Sequence, residues 1–313
     1  MKEDIFNTLE DRVGKKHLRK RLQRQMQHTA LQFSGNGFRL HLENMELPFI
    51  IFRMLLKCIG LWKRGTRNAM NYRVRKVNVT FKRLPKAFDG LKLLHLSDIH
   101  TDGLVDNADQ LCRLIETLEY DLCVITGDFR LLTFDDYEPS ISKTKTILDS
   151  IRCRFGTFGI LGNHDFIEMV PALESLGIRM LLNESVALQM QDEKIWLAGV
   201  DDCHFYEVHY LEKAVENIPR QSFRILLSHS PELFEEAGEL HTDYYLCGHT
   251  HGGQICLPGG IPLLVNASCP KKYCRGAWSF NEMKGYTSFG TGSSGLPVRF
   301  HCQPEVVLHQ LCC

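Results

Sequence analysis

The chain lacks several things that would have classified it at once. It has no apolar run long enough to cross a bilayer comfortably, no apolar segment behind Met1-Lys2-Glu3-Asp4, no CxxC pair and no internal repeat. The short run at 47–64 carries too much charge for a membrane span. The missing apolar opening predicts a chain without a signal peptide, hence a cytoplasmic one. Without CxxC, and with Cys269 and Cys274 separated by four residues, a structural zinc site is disfavoured. The terminal Cys312-Cys313 does not fit the prenylation pattern, which needs three residues after the cysteine. Twelve cysteines are present, but several sit inside apolar runs, such as Cys123 in LCVIT and Cys247 in YYLCG. There a thiol packs as a small hydrophobe, and the reading is a reducing compartment.

Composition argues against disorder as the default. Of 313 residues, 44% are hydrophobic and 24% charged, enough for a large buried core. The formal net charge is zero, yet the charges are segregated. Residues 1–80 hold 17 basic and 6 acidic side chains, so 17 − 6 leaves +11, and the remainder balances it at −11. A basic front end on an acidic body points to an anionic partner, lipid headgroups or nucleic acid, against a solvated helical surface.

Residues 1–71 read as a basic, partly amphipathic extension and 72–313 as the catalytic domain. Asp11 to Gln27 predicts a helix rich in Lys and Arg without a clear core-facing stripe. In LPFIIFRMLLKCIGLWKR, Arg53, Lys57, Gly60 and Arg64 mark one polar face, and Phe49, Ile50, Phe52, Met54, Leu55, Ile59 and Trp62 fill the rest. Such a segment, taken as 47–67, can lie in a membrane interface, pack on its own core or meet a second subunit.

From Tyr72 the pattern changes to alternating strands, with Val74, Val77 and Val79 among charges. Strand and helix then alternate. Helices are expected near Asn107–Leu118, Ser142–Ile151, Val170–Leu176, Tyr210–Ile218 and Pro231–Ala237. Between them lie LKLLHLS, DLCVITGD, FGTFGILGNHD, IWLAGVDD, FRILLSHSP and DYYLCGHTH. The stretch Ile261–His309 reads as mostly β. This is an α/β chain of stacked sheets with helices outside, in two halves, the second beginning near Trp196.

Five polar blocks follow apolar runs: Asp98-Ile99-His100, Gly127-Asp128, Gly162-Asn163-His164-Asp165, His229, and Gly248-His249-Thr250-His251. Binding crevices in open α/β sheets lie beyond the carboxyl ends of strands, where all five would fall. Asp98 and His100, two apart, can reach one metal. Asp128 has two oxygens and is a natural bridge, Asn163 offers a neutral oxygen, and His229, His249 and His251 offer nitrogens. This thiolate-free set suits two divalent ions, Mn first, Fe or Zn next. Two such ions could hold a hydroxide and clamp a phosphoryl oxygen. His95 reads as structural and Asp201-Asp202 as a turn. His17, His28, His41, His301 and His309 receive no role.

At these blocks the chain resembles the calcineurin-like metallophosphoesterases, over roughly residues 75–310. GHTHGGQI at 248–255 and GSSGLPVRF at 292–300 resemble the branch grouping bacterial membrane-associated phosphoesterases. The resemblance implies a two-sheet αββα sandwich with a basic N-terminal helical extension. It implies one metal on Asp98, His100, Asp128 and His251, and a second on Asp128, Asn163, His229 and His249. It places His164 at the scissile phosphate, stabilising charge or protonating the leaving group, with Asp165 orienting its ring.

Within that branch lie the UDP-2,3-diacylglucosamine pyrophosphatases of lipid A synthesis, which makes a lipid-linked pyrophosphate at the inner face of the cell membrane the most specific expectation. A general phosphodiesterase for nucleotides, nucleic acid or phospholipid is the alternative, nucleic acid being the disfavoured partner. A non-catalytic metal-binding scaffold ranks below both, because every ligand position is filled.

Overall fold

The computed structural model describes residues 3–34, 46–133 and 136–313. His41 lies outside them. Among the described residues, four α-helices precede the first strand: α1 (Glu3–Val13), α2 (Lys15–Ser34), α3 (Glu46–Cys58) and α4 (Trp62–Ala69). The first half then runs β1 (Arg73–Thr80), β2 (Lys92–Leu96), α5 (Asp109–Glu116), β3 (Leu122–Ile125), α6 (Glu138–Leu148), β4 (Thr157–Gly159), α7 (Val170–Ser175) and β5 (Ile178–Met180). The second comprises β6 (Glu184–Met190), β7 (Glu193–Gly199), α8 (Leu211–Val215), β8 (Phe223–Leu227), α9 (Phe234–Glu239) and β9 (Tyr244–Cys247). A small hairpin of β10 (Cys256–Leu257) and β11 (Ile261–Pro262) follows, then β12 (Gly276–Phe280), β13 (Met283–Thr287) and β14 (Glu305–Cys312).

Two six-stranded sheets result, in the orders β1-β14-β2-β3-β4-β5 and β12-β13-β9-β8-β7-β6. Strands β2 to β5 are mutually parallel, as are β7, β8, β9 and β13. Because side chains alternate along a strand, each central strand feeds two cores. Leu93, Val124, Leu197, Ile225 and Leu246 meet between the sheets. Their neighbours Leu94, Cys123 and Ile125 face the helices of the first layer, among them Leu111, Ile115 and Leu173. Ala198, Leu226 and Tyr245 face Leu211 and Phe234 on the other side. Burial on both faces is why these strands read as unbroken apolar runs.

Three expectations change. The basic N-terminal helices do have a core-facing stripe, since Leu9, Val13 and Leu18 are buried in the same core as β2 and β3, and Arg21 and Gln25 are buried with them. Gly14, at φ +85°, interrupts the helical phase, and two buried positions carry polar side chains, so the stripe is masked in sequence. Second, α6 starts earlier than expected, with Pro139 in its first turn, where a missing N–H costs nothing. Third, Ile261–His309 is less regular than its apolar pairs suggest. Residues 288–304 contain a single isolated bridge, Ile255 to Phe300. That loop lies against the end of β2, where a Cβ on Gly292 would stand 2.0 Å from the Ile99 carbonyl oxygen.

Helix α3 has two different faces. Phe49, Phe52 and Leu56 pack with Leu296, Val298, Phe300 and Ile255 in a small core. Arg53 and Lys57 stand 5.1 and 5.8 Å from the centroid of Trp62. Ile50, Ile51, Met54 and Leu55 are exposed. No helix among the described residues is long and apolar enough to cross a membrane.

Candidate metal centre

All five polar blocks stand at the carboxyl ends of parallel strands: after β2, β3 and β4 of one sheet, and after β8 and β9 of the other. Backbone hydrogen bonds lock the blocks together. Asp98 and His100 N–H donate to the carbonyls of Gly127 and Asp128 at 3.0 Å, and Gly248 N–H donates to that of His229 at 2.8 Å. Across the sheets, His249 N–H donates to the Asp98 carboxylate at 2.9 Å.

The turns are tight. Asp98, His100, Asp128, His249 and His251 all have φ between 47° and 68°, which L-residues other than glycine seldom adopt. Glycine is required beside them for space. A Cβ on Gly248 would lie 1.9 Å from Ser97 Oγ and 2.1 Å from Asp98 Oδ2, and one on Gly162 would lie 2.2 Å from Asp128 Oδ1.

The seven expected ligand side chains and His164 are all buried and converge. Asp98, His100 and His251 form one group of mutually close donor atoms; His100, Asp128 and His164 form a second; Asp98, Asp128 and His229 form a third. Asp98, His100 and Asp128 each belong to two of them, so the groups overlap in one cluster. His229 Nε2 and His249 Nδ1 each lie 2.9 Å from Asn163 Oδ1, which joins the remaining two expected ligands, Asn163 and His249, to His229.

Several features fit a dication here. His100 Nδ1–H donates to the Arg130 carbonyl at 2.7 Å and His229 Nδ1–H to that of Thr126 at 2.8 Å, which turns each Nε2 toward the cluster. Such outer hydrogen bonds are the usual way a protein aims an imidazole at a metal. His100 Nε2 and His251 Nε2 face each other at 3.1 Å. His249 turns Nδ1 toward Asn163, which makes Nδ1 the nitrogen it can offer a cation there.

Electrostatics agree. Burial raises Asp98 to about 6, with the Asp128 charge adding to it. Burial lowers His100 to about 4, and it holds His249 and His251 well below the usual imidazole range. Neutral imidazoles are the form that binds metal. Burial opposes ionisation of Asp128, but the imidazoles of His229 and His164 outweigh it and keep the carboxylate ionised. Burial likewise opposes protonation of His229, and Asp128 at 3.4 Å overcomes that and raises it.

Asp165 is placed differently from the expectation. Its carboxylate does not orient the His164 ring. It accepts backbone N–H groups from Asp128, Phe129, Arg130 and Gly162 at 2.8–3.3 Å, so it shapes the loop that carries Asp128. The His164 ring donates through Nδ1 to the Leu131 carbonyl at 2.5 Å, with Nε2 facing Asp128 at 3.9 Å.

Asp202 caps a turn as expected, accepting from Phe205 and Tyr206 N–H. Asp201 does more. It pairs with His17 at 2.9 Å and with Arg21 at 3.4 Å, so His17 has a role that sequence withheld. Buried Arg21 also donates to the Asp165 carbonyl at 2.9 Å and lies 3.4 Å over the Tyr206 ring. The basic front end is therefore partly spent on the protein's own acids. His95 sits in a buried chain with Thr126 at 2.8 Å and His309 at 3.4 Å, and His309 meets Tyr244 at 2.6 Å.

Two neighbours of the cluster received no role from sequence, although Arg299 lies in the GSSGLPVRF run. Arg299, buried, lies 3.2 Å from His251 Nδ1. His204, held by Glu232 at 2.9 Å, has its ring 4.1 Å from that of His249. Both arrive from loops remote in sequence from the blocks.

Residues 91–253 match the family described as Calcineurin-like phosphoesterase. A bovine protein named "Transmembrane protein with metallophosphoesterase domain" is 34% identical over 82% of this chain, and the chain spans only 60% of that relative's length. The "Uncharacterized metallophosphoesterase YkoQ" of Bacillus subtilis is 26% identical over 79% of this chain and 93% of its own. The "Phosphodiesterase YaeI" of Escherichia coli is 29% identical over 70% of this chain and 82% of its own.

Proposed function

The chain belongs to the calcineurin-like phosphoesterase family, whose members are metal-dependent phosphoester hydrolases, and on that premise we propose that it hydrolyses a lipid-linked phosphoester or pyrophosphate at a two-metal centre. The observation that carries the proposal is the convergence of five separate strand ends on one buried cluster of overlapping carboxylate and imidazole groups. One ion would be held by Asp98, His100, Asp128 and His251, the other by Asp128, Asn163, His229 and His249. Bound there, two dications supply hydroxide near neutral pH and neutralise phosphate charge.

The chain's own groups do the rest. His164 lies at the edge of the cluster with its Nδ1–H fixed on the Leu131 carbonyl, so in the protonated ring Nε2–H is the proton available to a leaving oxygen. Asp165 holds the Asp128 loop rigid through four N–H bonds. The seating of a phosphate between neutralised ligands needs no covalent protein nucleophile.

The lipid-linked reading is supported by the outward apolar face of α3 and the basic residues around it. It locates the protein peripherally at the inner face of the cell membrane, with Mn the preferred ion. In its most specific form the substrate is UDP-2,3-diacylglucosamine. The relative named a phosphodiesterase favours a second reading, a general phosphodiesterase.

The test is turnover by Mn-loaded protein of UDP-2,3-diacylglucosamine beside bis(p-nitrophenyl) phosphate and a cyclic nucleotide. Cleavage of the lipid-linked pyrophosphate in preference to the diesters supports the first reading. Cleavage of the diesters alone selects the second, and no turnover of any rejects both. His164→Gln should lower kcat by about 10²–10⁴-fold with metal content unchanged, the usual share of a general acid.

A further inference from the structure

We infer that α3 and the β10–β11 hairpin together form one docking face for an anionic lipid surface, placed beside the metal centre. This deepens the lipid-linked reading above and rests on it. Large apolar side chains are bare at few places in this molecule. Among the described residues, nine of the thirteen exposed large hydrophobics belong to these two elements or directly follow them, so the exposure is concentrated. On the helix they are Ile50, Ile51, Met54 and Leu55, with Ile59 just past its end, each 50–61% exposed. On the hairpin they are Leu257 and Ile261, with Leu263 and Leu264 just after it, 48–61% exposed. Concentrated apolar exposure of this kind marks a binding face.

The two elements are built onto one support. The inner side of α3 packs with Ile255 and Phe300, and Ile255 accepts the N–H of Leu263 at 3.2 Å. The Gln254 side chain donates to the carbonyls of Ser294 and Leu296 at 2.9 and 3.1 Å, which ties the hairpin's root to the same cluster. A Cβ on Gly295 would stand 2.5 Å from Phe49, so this loop also abuts the helix. The hairpin starts five residues after His251 of the metal cluster. A face at this place brings a headgroup phosphate toward the cluster without removing the acyl chains from the lipid.

Charge selects the occupant. Between Glu46 and Asp89 the sequence holds eleven Lys or Arg and no acidic residue. Between Asp243 and Glu282 it holds Lys271, Lys272, Arg275 and again no acidic residue. The body as a whole is acidic, so the absence is local to the segments that bear the apolar side chains. Arg75 and Arg83 are paired with Glu305 and Asp243, but Arg53, Lys57, Lys63, Arg64 and Arg67 of α3 and α4 adjoin the apolar side chains, and apolar side chains flanked by cations match an anionic bilayer interface. Arg53 and Lys57, held near Trp62, can stay at headgroup level while the apolar groups insert.

The test is sedimentation of the full chain with vesicles of phosphatidylcholine alone and of phosphatidylcholine with phosphatidylglycerol, alongside turnover of bis(p-nitrophenyl) phosphate. Wild type should bind the anionic vesicles at least about tenfold more tightly than the neutral ones, as a cluster of cations near the surface requires. Ile261→Asp with Leu263→Asp, and separately Ile51→Asp with Met54→Asp, should each weaken vesicle binding about tenfold or more and leave diester turnover unchanged. Two results overturn the inference: wild type that hydrolyses the diester but ignores anionic vesicles, and hairpin variants that bind like wild type. Association into dimers abolished by the same variants, without vesicle binding, would assign the face to a second copy instead. Vesicle binding without turnover of any phosphoester would leave the face standing and reject the hydrolase reading.

Discussion

Asp128→Asn isolates the shared carboxylate with the least change of shape. The amide retains an oxygen for the His164 N–H, which Asp128 Oδ1 accepts at 2.9 Å, and removes the charge. In the metal-free protein that charge lies 3.4 Å from His229 Nε2, 3.8 Å from His100 Nε2 and 3.9 Å from His164 Nε2. At an effective dielectric of about 20, one such contact is worth roughly 4–5 kcal/mol, and loss of one partner of a buried pair typically costs about 3–5 kcal/mol. His229, no longer held charged by Asp128, should become neutral, which limits the loss to the lower end. With metal at about 100-fold its Kd, wild type should gain about 2.7 kcal/mol per site from binding. The variant should lose most of this gain, because both ligand groups lose their common member. Its kcat/KM should fall by at least about 10³-fold, roughly 4 kcal/mol of transition-state stabilisation. Urea denaturation with and without MnCl₂ at constant ionic strength measures the first effect, and diester turnover the second. A variant that keeps the metal-dependent gain and turns over within about threefold of wild type would refute Asp128 as the bridge.

Gly248→Ala should disrupt the site rather than the fold, because its methyl would collide with Ser97 Oγ and Asp98 Oδ2; metal content measured by ICP-MS should drop, and full occupancy would show that the turn can shift. Arg21→Met should destabilise the protein by about 3 kcal/mol in urea, since it leaves the buried Asp201 carboxylate with His17 and the Asp202 N–H but without its arginine, and removes the bond to the Asp165 carbonyl. A loss under about 0.5 kcal/mol would mean that the N-terminal helices are not integral to the core. Acid should also destabilise the fold through His95. Burial lowers it to about 3 from an ordinary 6.5, so the unfolded chain binds the extra proton below pH 6.5, and this contribution, complete above that pH, is lost as pH falls toward 3. The slope is about 1.4 kcal/mol per pH unit for one such histidine. His95→Gln should show a shallower slope between pH 6 and 5 by denaturant titration, and an identical slope would contradict a neutral buried His95.

Much of the site was legible before any coordinates, because its chemistry is local. Each ligand block sits within a few residues of a strand end, and the strands announce themselves as apolar runs since both their faces are buried. Asp98, His100 and Asp128 could be read that way. Asp165 could not be placed by motif alone. A carboxylate beside a histidine suggests a dyad, but the chain turns so that four N–H groups reach Asp165 first.

The sequence by itself determined the alternation of strands and helices, the α/β class, the ligand types and the reaction family, all of which depend on short-range pattern and on residue chemistry. Tertiary structure decided the contacts that cross long separations. It sent Arg21 of a basic helix beneath the Asp165 loop, joined β14 to β1 and β2, and brought Arg299 and His204 beside the ligand histidines. It also divided the apolar residues of α3 into a packed face and a bare one, which periodicity cannot do, because burial depends on what the rest of the chain lays against a helix rather than on the helix itself.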